Sequence, residues 1–344
     1  MAETTRIGVI GCGFFSKNHL HSWKDLAGDG AELVAVCDVD ADKARTAAET
    51  FGIPHWYTDA ETMFRERDLE LVDIVTRMDT HRRLAELAAS HGVAMIVQKP
   101  FAPDIGDVRA IIDVAEKADL FLAVHENFRF QRPFRKAKEL LDSGLIGQPS
   151  WGRVSFRTCY DIYAGQPYFY GEDRFVILDL GVHVVDMARV LFGEIAHISC
   201  ETQRRNPKVK AEDTATMMAR HVSGAVSLVE CTYEAKRLPD PFPESLIEIE
   251  GPKGSIVVRP GYRLEVTVDG EMTASDIDIP MLGWAKKPWH MIEESVFETC
   301  KHIFEAFKAG REAEVSGRDN LKTYAACEAA YESAATGRAV KPEA

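Results

Sequence analysis

The 344-residue chain is longer than one ordinary hydrophobic core supports, so two domains are expected. With 46% hydrophobic and 28% charged residues it has the composition of a soluble globular protein, and no apolar run approaches the roughly 20 residues that cross a bilayer. A formal net charge of −13 without a basic cluster argues against nucleic acid and against an anionic membrane surface as partners.

The first strand pattern begins at Arg6, which leaves no room for a signal peptide. Seven cysteines are scattered without a C-x-x-C pair. Neither a zinc ribbon nor a dithiol redox motif is therefore expected, and a reduced, cytoplasmic setting is. His19-x-His21 reads as ordinary helix residues rather than a metal pair.

Residues 6–10 form a short apolar strand that runs into Gly11-Cys12-Gly13-Phe14-Phe15-Ser16 and then a helix. A second apolar strand, 31–36, ends at Cys37-Asp38. A G-x-G at a strand-to-helix turn, with an acid closing the next strand, is a dinucleotide-binding pattern. Gly11 permits the tight turn, Gly13 lets the backbone approach a pyrophosphate, and the helix start offers N–H groups to the anion. Ser16 stands where the third glycine usually falls. Asp38 follows at roughly the expected 20-residue distance. A carboxylate there accepts from a ribose 2′-OH and repels a 2′-phosphate, so NAD is favoured over NADP.

The alternation continues with a helix at 41–51, a short strand at 55–57, a helix capped by Asp59, a strand at 71–76, a helix at 80–91 and a strand at 93–97. Gln98-Lys99-Pro100 follows, then a helix at 104–117 and a strand at 120–125. This predicts an N-terminal Rossmann domain over 1–126, a doubly wound parallel sheet. Ligands bind such sheets beyond the carboxyl ends of the strands. Those ends carry Gly11 to Phe15, Asp38, Thr76-Arg77, Gln98-Lys99-Pro100 and Glu126-Asn127. Pro100 disfavours helix at Lys99, so the lysine leaves its strand extended, as a positioned cation at the cofactor edge.

The second domain is expected over 127–344. An amphipathic helix at 131–143 precedes a strand at 151–160 and an aromatic, glycine-rich loop at 160–170. Strand patterns at 197–203, 213–221, 225–233, 245–250, 254–259 and 262–268 then follow without a long helix. They predict an α+β domain with a large, mostly antiparallel open sheet, closed by helices at 289–309 and 318–336. A broad sheet face needs a cover, and a homo-oligomer, dimer or tetramer, is expected to supply it.

Between these segments, residues 175–192 are almost wholly apolar except for Asp179, His183 and Asp186. On a helix Asp179 and His183 are i and i+4 and share a face, and a helix apolar nearly all round is buried. Buried carboxylates and an imidazole are either paired or at work. Asp186 either extends the site or anchors the helix.

Taken together, these residues resemble the Gfo/Idh/MocA family of NAD(P)-dependent sugar and cyclitol oxidoreductases along nearly the whole chain. The matching elements are the Gly11-Cys12-Gly13 turn, Asp38, Lys99-Pro100, Asn127 with Arg129, and Asp179-x-x-x-His183-x-x-Asp186. Gln98 replaces the glutamate of the family's Glu-Lys-Pro step. His81 is kept, but Thr76-Arg77-Met78-Asp79 stands where the family has a proline pair. Residues 124–129, 165–168, 240–244 and 319–323 narrow the resemblance to a branch that oxidises a branched pentose at its anomeric carbon to a lactone.

The resemblance implies hydride transfer from a sugar C–H to NAD. In this reading His183 is the base, Asp179 orients it, and Lys99 hydrogen-bonds the reacting oxygen. Neither a metal nor a covalent intermediate is required. Asn127, Arg129, Arg157, Tyr160, Asp161 and Gln166 are candidate polyol or cofactor contacts, with Trp284, Trp289 and His290 as a possible wall. Three other readings share the fold: a dehydrogenase of another aldose or cyclitol, a silent NAD-binding sensor, and an enzyme that uses NAD only transiently. Retention of Lys99, Asp179 and His183 together argues against the sensor.

Overall fold

A computed structural model describes residues 4–344. The chain divides into two compact units, the first reaching Asn127 and adding Val296–Leu321, the second comprising Phe128–Ser295 and Lys322–Ala344.

Unit 1 alternates β1 (Thr5–Ile10), α1 (Ser16–Asp25), β2 (Ala31–Cys37), α2 (Ala41–Phe51), β3 (His55–Tyr57), α3 (Ala60–Glu66), β4 (Leu71–Ile74), α4 (His81–Ser90), β5 (Ala94–Gln98), α5 (Ile105–Lys117) and β6 (Leu122–His125). The six strands lie in the order β3-β2-β1-β4-β5-β6, every pair parallel. β4 and β5 are buried throughout, as strands covered on both faces must be, and their sequences are apolar except for Asp73 and Gln98. Aspartates start three of the helices: Asp40, Asp59 and Asp104 each accept backbone N–H groups of the first turn. Strand order reverses around β1, so its carboxyl end is the topological switch point where such sheets bind ligands.

Two expected strands are shorter than the apolar runs suggested. β4 stops at Ile74. β6 begins only at Leu122, because the Leu120 N–H closes the end of α5 on the Ala115 carbonyl.

Unit 2 holds α6 (Arg132–Asp142), β7 (Trp151–Arg157), α7 (Ile162–Gly165), α8 (Val182–Phe192) and seven further strands. These are β8 (Ile195–Gln203), β9 (Thr214–His221), β10 (Val226–Thr232), β11 (Leu246–Gly251), β12 (Gly254–Arg259), β13 (Arg263–Val268) and β14 (Glu271–Asp276). Two long helices follow, α9 (His290–Lys308) and α10 (Gly317–Thr336), and the division between units falls within each.

The eight-stranded sheet runs β14-β13-β12-β11-β7-β10-β9-β8 and is antiparallel except where β10 meets β7. Strict alternation on β9 turns Ala215, Met217 and Ala219 inward and Thr216, Met218 and Arg220 outward. α8 packs so tightly on this sheet that a Cβ at Gly152 of β7 would lie 2.1 Å from the Phe192 ring. β14 is a strand that pattern reading does not find, because all its residues are exposed and only its ladder with β13 holds it. The expected aromatic loop at 160–170 instead contains α7 and a 3-10 turn, Pro167–Gly171.

Candidate active site

In unit 1, β1 delivers Gly11 into a tight turn at φ 100°, where a Cβ would meet the Val75 carbonyl oxygen at 2.2 Å. Only glycine fits both conditions. A Cβ at Gly13 would meet nothing within 4 Å, so the surface beside it is open to a close-approaching group. Phe14 is exposed beside it. Phe15 stands at the N-cap of α1 with no side-chain cap, which leaves the helix start to other acceptors. Asp38 ties the turn to the end of β2: its Oδ2 accepts from the Cys12 N–H at 2.8 Å and its Oδ1 from the Asp40 N–H at 2.9 Å. Burial, and then the Asp38 carboxylate, push the Cys12 thiol up to about 12, so it stays a protonated filler.

At the ends of β4 and β5, His81 is fully buried and bridges two loops. Its Nδ1 lies 3.1 Å from the Phe101 carbonyl and its Nε2 3.1 Å from the Thr76 carbonyl. Burial lowers its pKa, and both ring nitrogens face main-chain carbonyls. The Thr76 hydroxyl is paired with that of Thr80 at 2.7 Å. Gln98 is buried and its Oε1 has no hydrogen-bond partner among the described residues. Lys99 follows it, half-buried, at a cis peptide bond with Pro100. Asn127 is buried at the end of the unit.

In unit 2 the polar helix begins as a π-helical turn, Ile177–Gly181, and continues as α8. Widened turns of this kind occur often at functional sites. No side chain of the helix caps its start. Glu212 does so from the β8–β9 connection, its Oε1 accepting from the N–H groups of Phe175 and Ile177 at 3.1 and 3.2 Å.

Asp179 sits in the π turn at 9% exposure and His183 in the first turn of α8 at 2%. Asp179 Oδ2 accepts the phenolic hydrogen of Tyr233 at 2.7 Å. Burial, and then the Asp179 carboxylate, raise the Tyr233 phenol well above its ordinary value, so it remains a donor. The His183 ring lies on Phe128, centroids 3.8 Å apart and planes within 6°. A face-on aromatic ring fixes the imidazole plane and favours a positive charge forming on it. Phe128 touches Phe156 at 5.4 Å, and Phe156 meets Phe242, which stacks on Tyr160 at 4.1 Å and abuts Trp289 at 5.1 Å. A continuous aromatic wall thus joins the imidazole to Tyr160 and Trp289.

Arg129 is buried with its Nε 2.8 Å from Asp186 Oδ2, and Asp186 also accepts from the Thr323 hydroxyl at 2.7 Å. Arg157 is half-buried at the end of β7. Asp161 caps α7, accepting from the Ala164 N–H at 3.2 Å. The Gln166 side-chain oxygen accepts from the Tyr168 hydroxyl. His290 Nδ1 lies 3.3 Å from the Pro288 carbonyl and its ring meets the Tyr262 edge at 5.7 Å. Tyr233, Phe128 and Phe242 contact the candidates Asp179, His183 and Tyr160, and sequence reading missed them. The signal for Tyr233 was weak: a hydroxyl one residue beyond a strand has no fixed spacing to a helix that precedes it.

Residues 5–126 match a family model described as "Oxidoreductase family, NAD-binding Rossmann fold", and residues 134–257 match the GFO/IDH/MocA C-terminal domain. The chain is 47% identical to a D-apiose dehydrogenase of Rhizobium rhizogenes over 96% of both chains. It is 45% identical to a D-apiose dehydrogenase of Paraburkholderia graminis over 97% of this chain and 88% of that one. A crystal structure of an oxidoreductase from Agrobacterium radiobacter, in complex with NAD+, L-tartaric acid and magnesium, superposes with a TM-score of 0.96 at 46% identity, covering 98% of each chain.

Proposed function

The chain belongs to the Gfo/Idh/MocA family of NAD-dependent oxidoreductases, and from that premise we propose that it oxidises D-apiose at its anomeric carbon to D-apionolactone. The observation that carries the substrate is the end-to-end likeness to two D-apiose dehydrogenases. The observation that carries the chemistry is the buried Asp179 and His183 on one helix, with Tyr233 bound to the first and Phe128 stacked on the second.

NAD supplies the hydride acceptor when bound. The open approach at Gly13, the uncapped start of α1, and the buried, partnerless oxygen of Gln98 fit such a ligand. Gly11, Cys12, Gly13, Phe14 and Phe15 are assigned to its phosphates, Asp38 to its adenosine ribose, and Thr76, Gln98, Lys99 and Asn127 to the remainder. His81 is assigned to holding the Thr76 loop, since both its ring nitrogens face main-chain carbonyls. A carboxylate at Asp38 favours NAD over NADP.

In the proposed reaction a ring nitrogen of His183 takes the proton of the sugar hydroxyl. Asp179, steadied by Tyr233, stabilises the resulting imidazolium, and the Phe128 face supports the same charge. The Lys99 ammonium donates a hydrogen bond to the reacting oxygen and favours its alkoxide character. Arg157, Tyr160, Asp161 and Gln166 are assigned to the other hydroxyls of the sugar. Arg129 is assigned to bracing the helix through Asp186.

NADH formation measured against aldoses, cyclitols and branched pentoses tests the reading. D-Apiose should give the highest kcat/KM. A preference for inositol or an unbranched aldose would replace the substrate. Tight NAD binding without turnover of any sugar would point to a sensor.

We also propose a homo-oligomer, dimer or tetramer, in which a second copy covers the outward sheet face bearing Met218, which is 52% exposed. Light scattering showing a monomer at micromolar concentration would exclude it. A cytoplasmic setting is supported by all seven cysteines being free thiols.

A further inference from the structure

Inside unit 1, α1, β6 and α9 bring three ligand-type side chains together, and all three are fully buried: His19, His125 and Cys300. One nitrogen of each histidine and the Cys300 sulfur lie within 4.8 Å of one another. His125 Nε2 is 3.6 Å from Cys300 Sγ, and the two imidazole centroids are 4.1 Å apart. His19 Nδ1 is held by Asp73 Oδ2 at 2.8 Å, and the same oxygen accepts from the Trp23 indole at 2.7 Å. His19 Nε2 is buried and has no hydrogen-bond partner among the described residues. A fully buried imidazole nitrogen without a partner is costly to keep.

We propose that His19, His125 and Cys300 form a buried site for a divalent transition-metal ion of the zinc class. Four observations carry the assignment. Two imidazoles and a thiolate are the donor set that favours zinc over magnesium or calcium. With metal bonds of about 2.0–2.1 Å to nitrogen and about 2.3 Å to sulfur, neighbouring tetrahedral ligands lie about 3.5 Å apart, close to the 3.6 Å between His125 and Cys300. Asp73 on Nδ1 of His19 is the carboxylate–histidine arrangement that orients a metal-bound imidazole and leaves Nε2 to the ion. Charge also balances: the two positive charges of the ion meet one on the Cys300 thiolate and one on the Asp73 carboxylate. On binding, the Cys300 proton leaves to solvent, the sulfur lone pair becomes the donor, and no electron is transferred.

The three ligand atoms, all within 4.8 Å of one another, would draw together by at most about 1.5 Å on binding. The ion would clamp α1, the helix that follows the Gly11–Phe15 turn, to β6 and to the part of α9 that belongs to unit 1. The site uses no residue assigned to the chemistry and is independent of the proposed substrate.

The test uses the full-length protein, stripped with a chelator and titrated with Co2+ alone. One cobalt per chain with a thiolate-to-cobalt charge-transfer band is expected, displaced by Zn2+ and abolished in Cys300→Ala. In the stripped wild-type protein Zn2+ should raise Tm by several degrees and Mg2+ should not. A band that survives in Cys300→Ala overturns the site. So does a wild-type protein with neither band nor Zn2+-dependent Tm, which would leave His19, His125 and Cys300 as a hydrogen-bonded core cluster only. An equal rise of Tm with Mg2+ would overturn the zinc-class assignment.

Discussion

Tyr233, one residue beyond β10, donates its phenolic hydrogen to Asp179 Oδ2 across 2.7 Å. The bond holds one carboxylate oxygen while the phenol, raised by burial, cannot ionise in competition. Tyr233→Phe keeps the ring and its stack on Phe175 while removing the donor. Turnover is expected to fall by about 10-fold, as losing a charged-group hydrogen bond of about 1.5 kcal/mol would give. The acid limb of the kcat pH profile should shift, and the Kd for NAD should not. An unchanged profile would reduce Tyr233 to a packing residue.

Removing the proton acceptor or the cation should be far more severe. His183→Ala and Lys99→Ala are each expected to lower kcat/KM by a factor on the order of 10² or more. The His183 variant should still bind NAD, which fluorescence titration reads directly. Wild-type rates in both variants, with folding intact by circular dichroism, would refute the assignment.

Asp38 has two tasks that one substitution separates. Its carboxylate accepts from the N–H groups of Cys12 and Asp40, and its charge is assigned to the adenosine ribose of NAD. Asp38→Asn retains an acceptor but loses the charge, so the ratio of kcat/KM for NAD over NADP should drop by about 10-fold or more. Equal use of both cofactors by the unmodified protein would remove the basis for NAD preference.

The Arg129–Asp186 pair is buried, with Asp186 fully so. Deleting Arg129 leaves Asp186 with the Thr323 hydroxyl and with Arg189 at 3.5 Å, and deleting Asp186 removes the Arg129 counter-ion from a buried guanidinium. Arg129→Met and Asp186→Leu should each cost about 3–5 kcal/mol in urea unfolding, and the double variant should recover most of that loss. Additive losses would mean that the two side chains act separately.

His221 is built to be neutral. Its Nδ1 lies 2.6 Å from the Gly193 carbonyl, to which it donates, and its Nε2 lies 2.8 Å from the Ser227 hydroxyl, from which it accepts. Burial lowers its pKa. The unfolded chain, with a histidine near the ordinary value of about 6.5, then binds more protons than the fold as pH falls. Stability should therefore be full above that value and decline as pH drops below it toward 5. Tm measured across this window should flatten in His221→Gln relative to the wild type.

Much of unit 1 could be read from order along the chain. Apolar runs of strand length alternating with amphipathic helices identify a parallel sheet, because each pattern reflects contacts within a few residues. The Gly11 turn was legible from its Gly-x-Gly spacing, although the close contact that requires the glycine, the Val75 carbonyl 2.2 Å from any Cβ, comes from the end of β4. β14 escaped because pairing alone sustains it, with no buried face to leave a period in the sequence.

The sequence by itself therefore determined the fold class, the cofactor turn, and the buried helix that carries Asp179, His183 and Asp186. Periodicity and glycine placement encode those features locally. Only the tertiary structure decided what each buried polar group meets. Asp179 finds Tyr233 54 residues away, Asp186 finds Arg129 57 residues away, and His125 finds Cys300 175 residues away. It also turned His19, read from the sequence as an ordinary helix residue, toward Asp73 and a buried histidine–cysteine cluster. Hydrogen bonds and metal-ligand sets depend on positions in space to within an ångström, and chain separation carries no record of that distance.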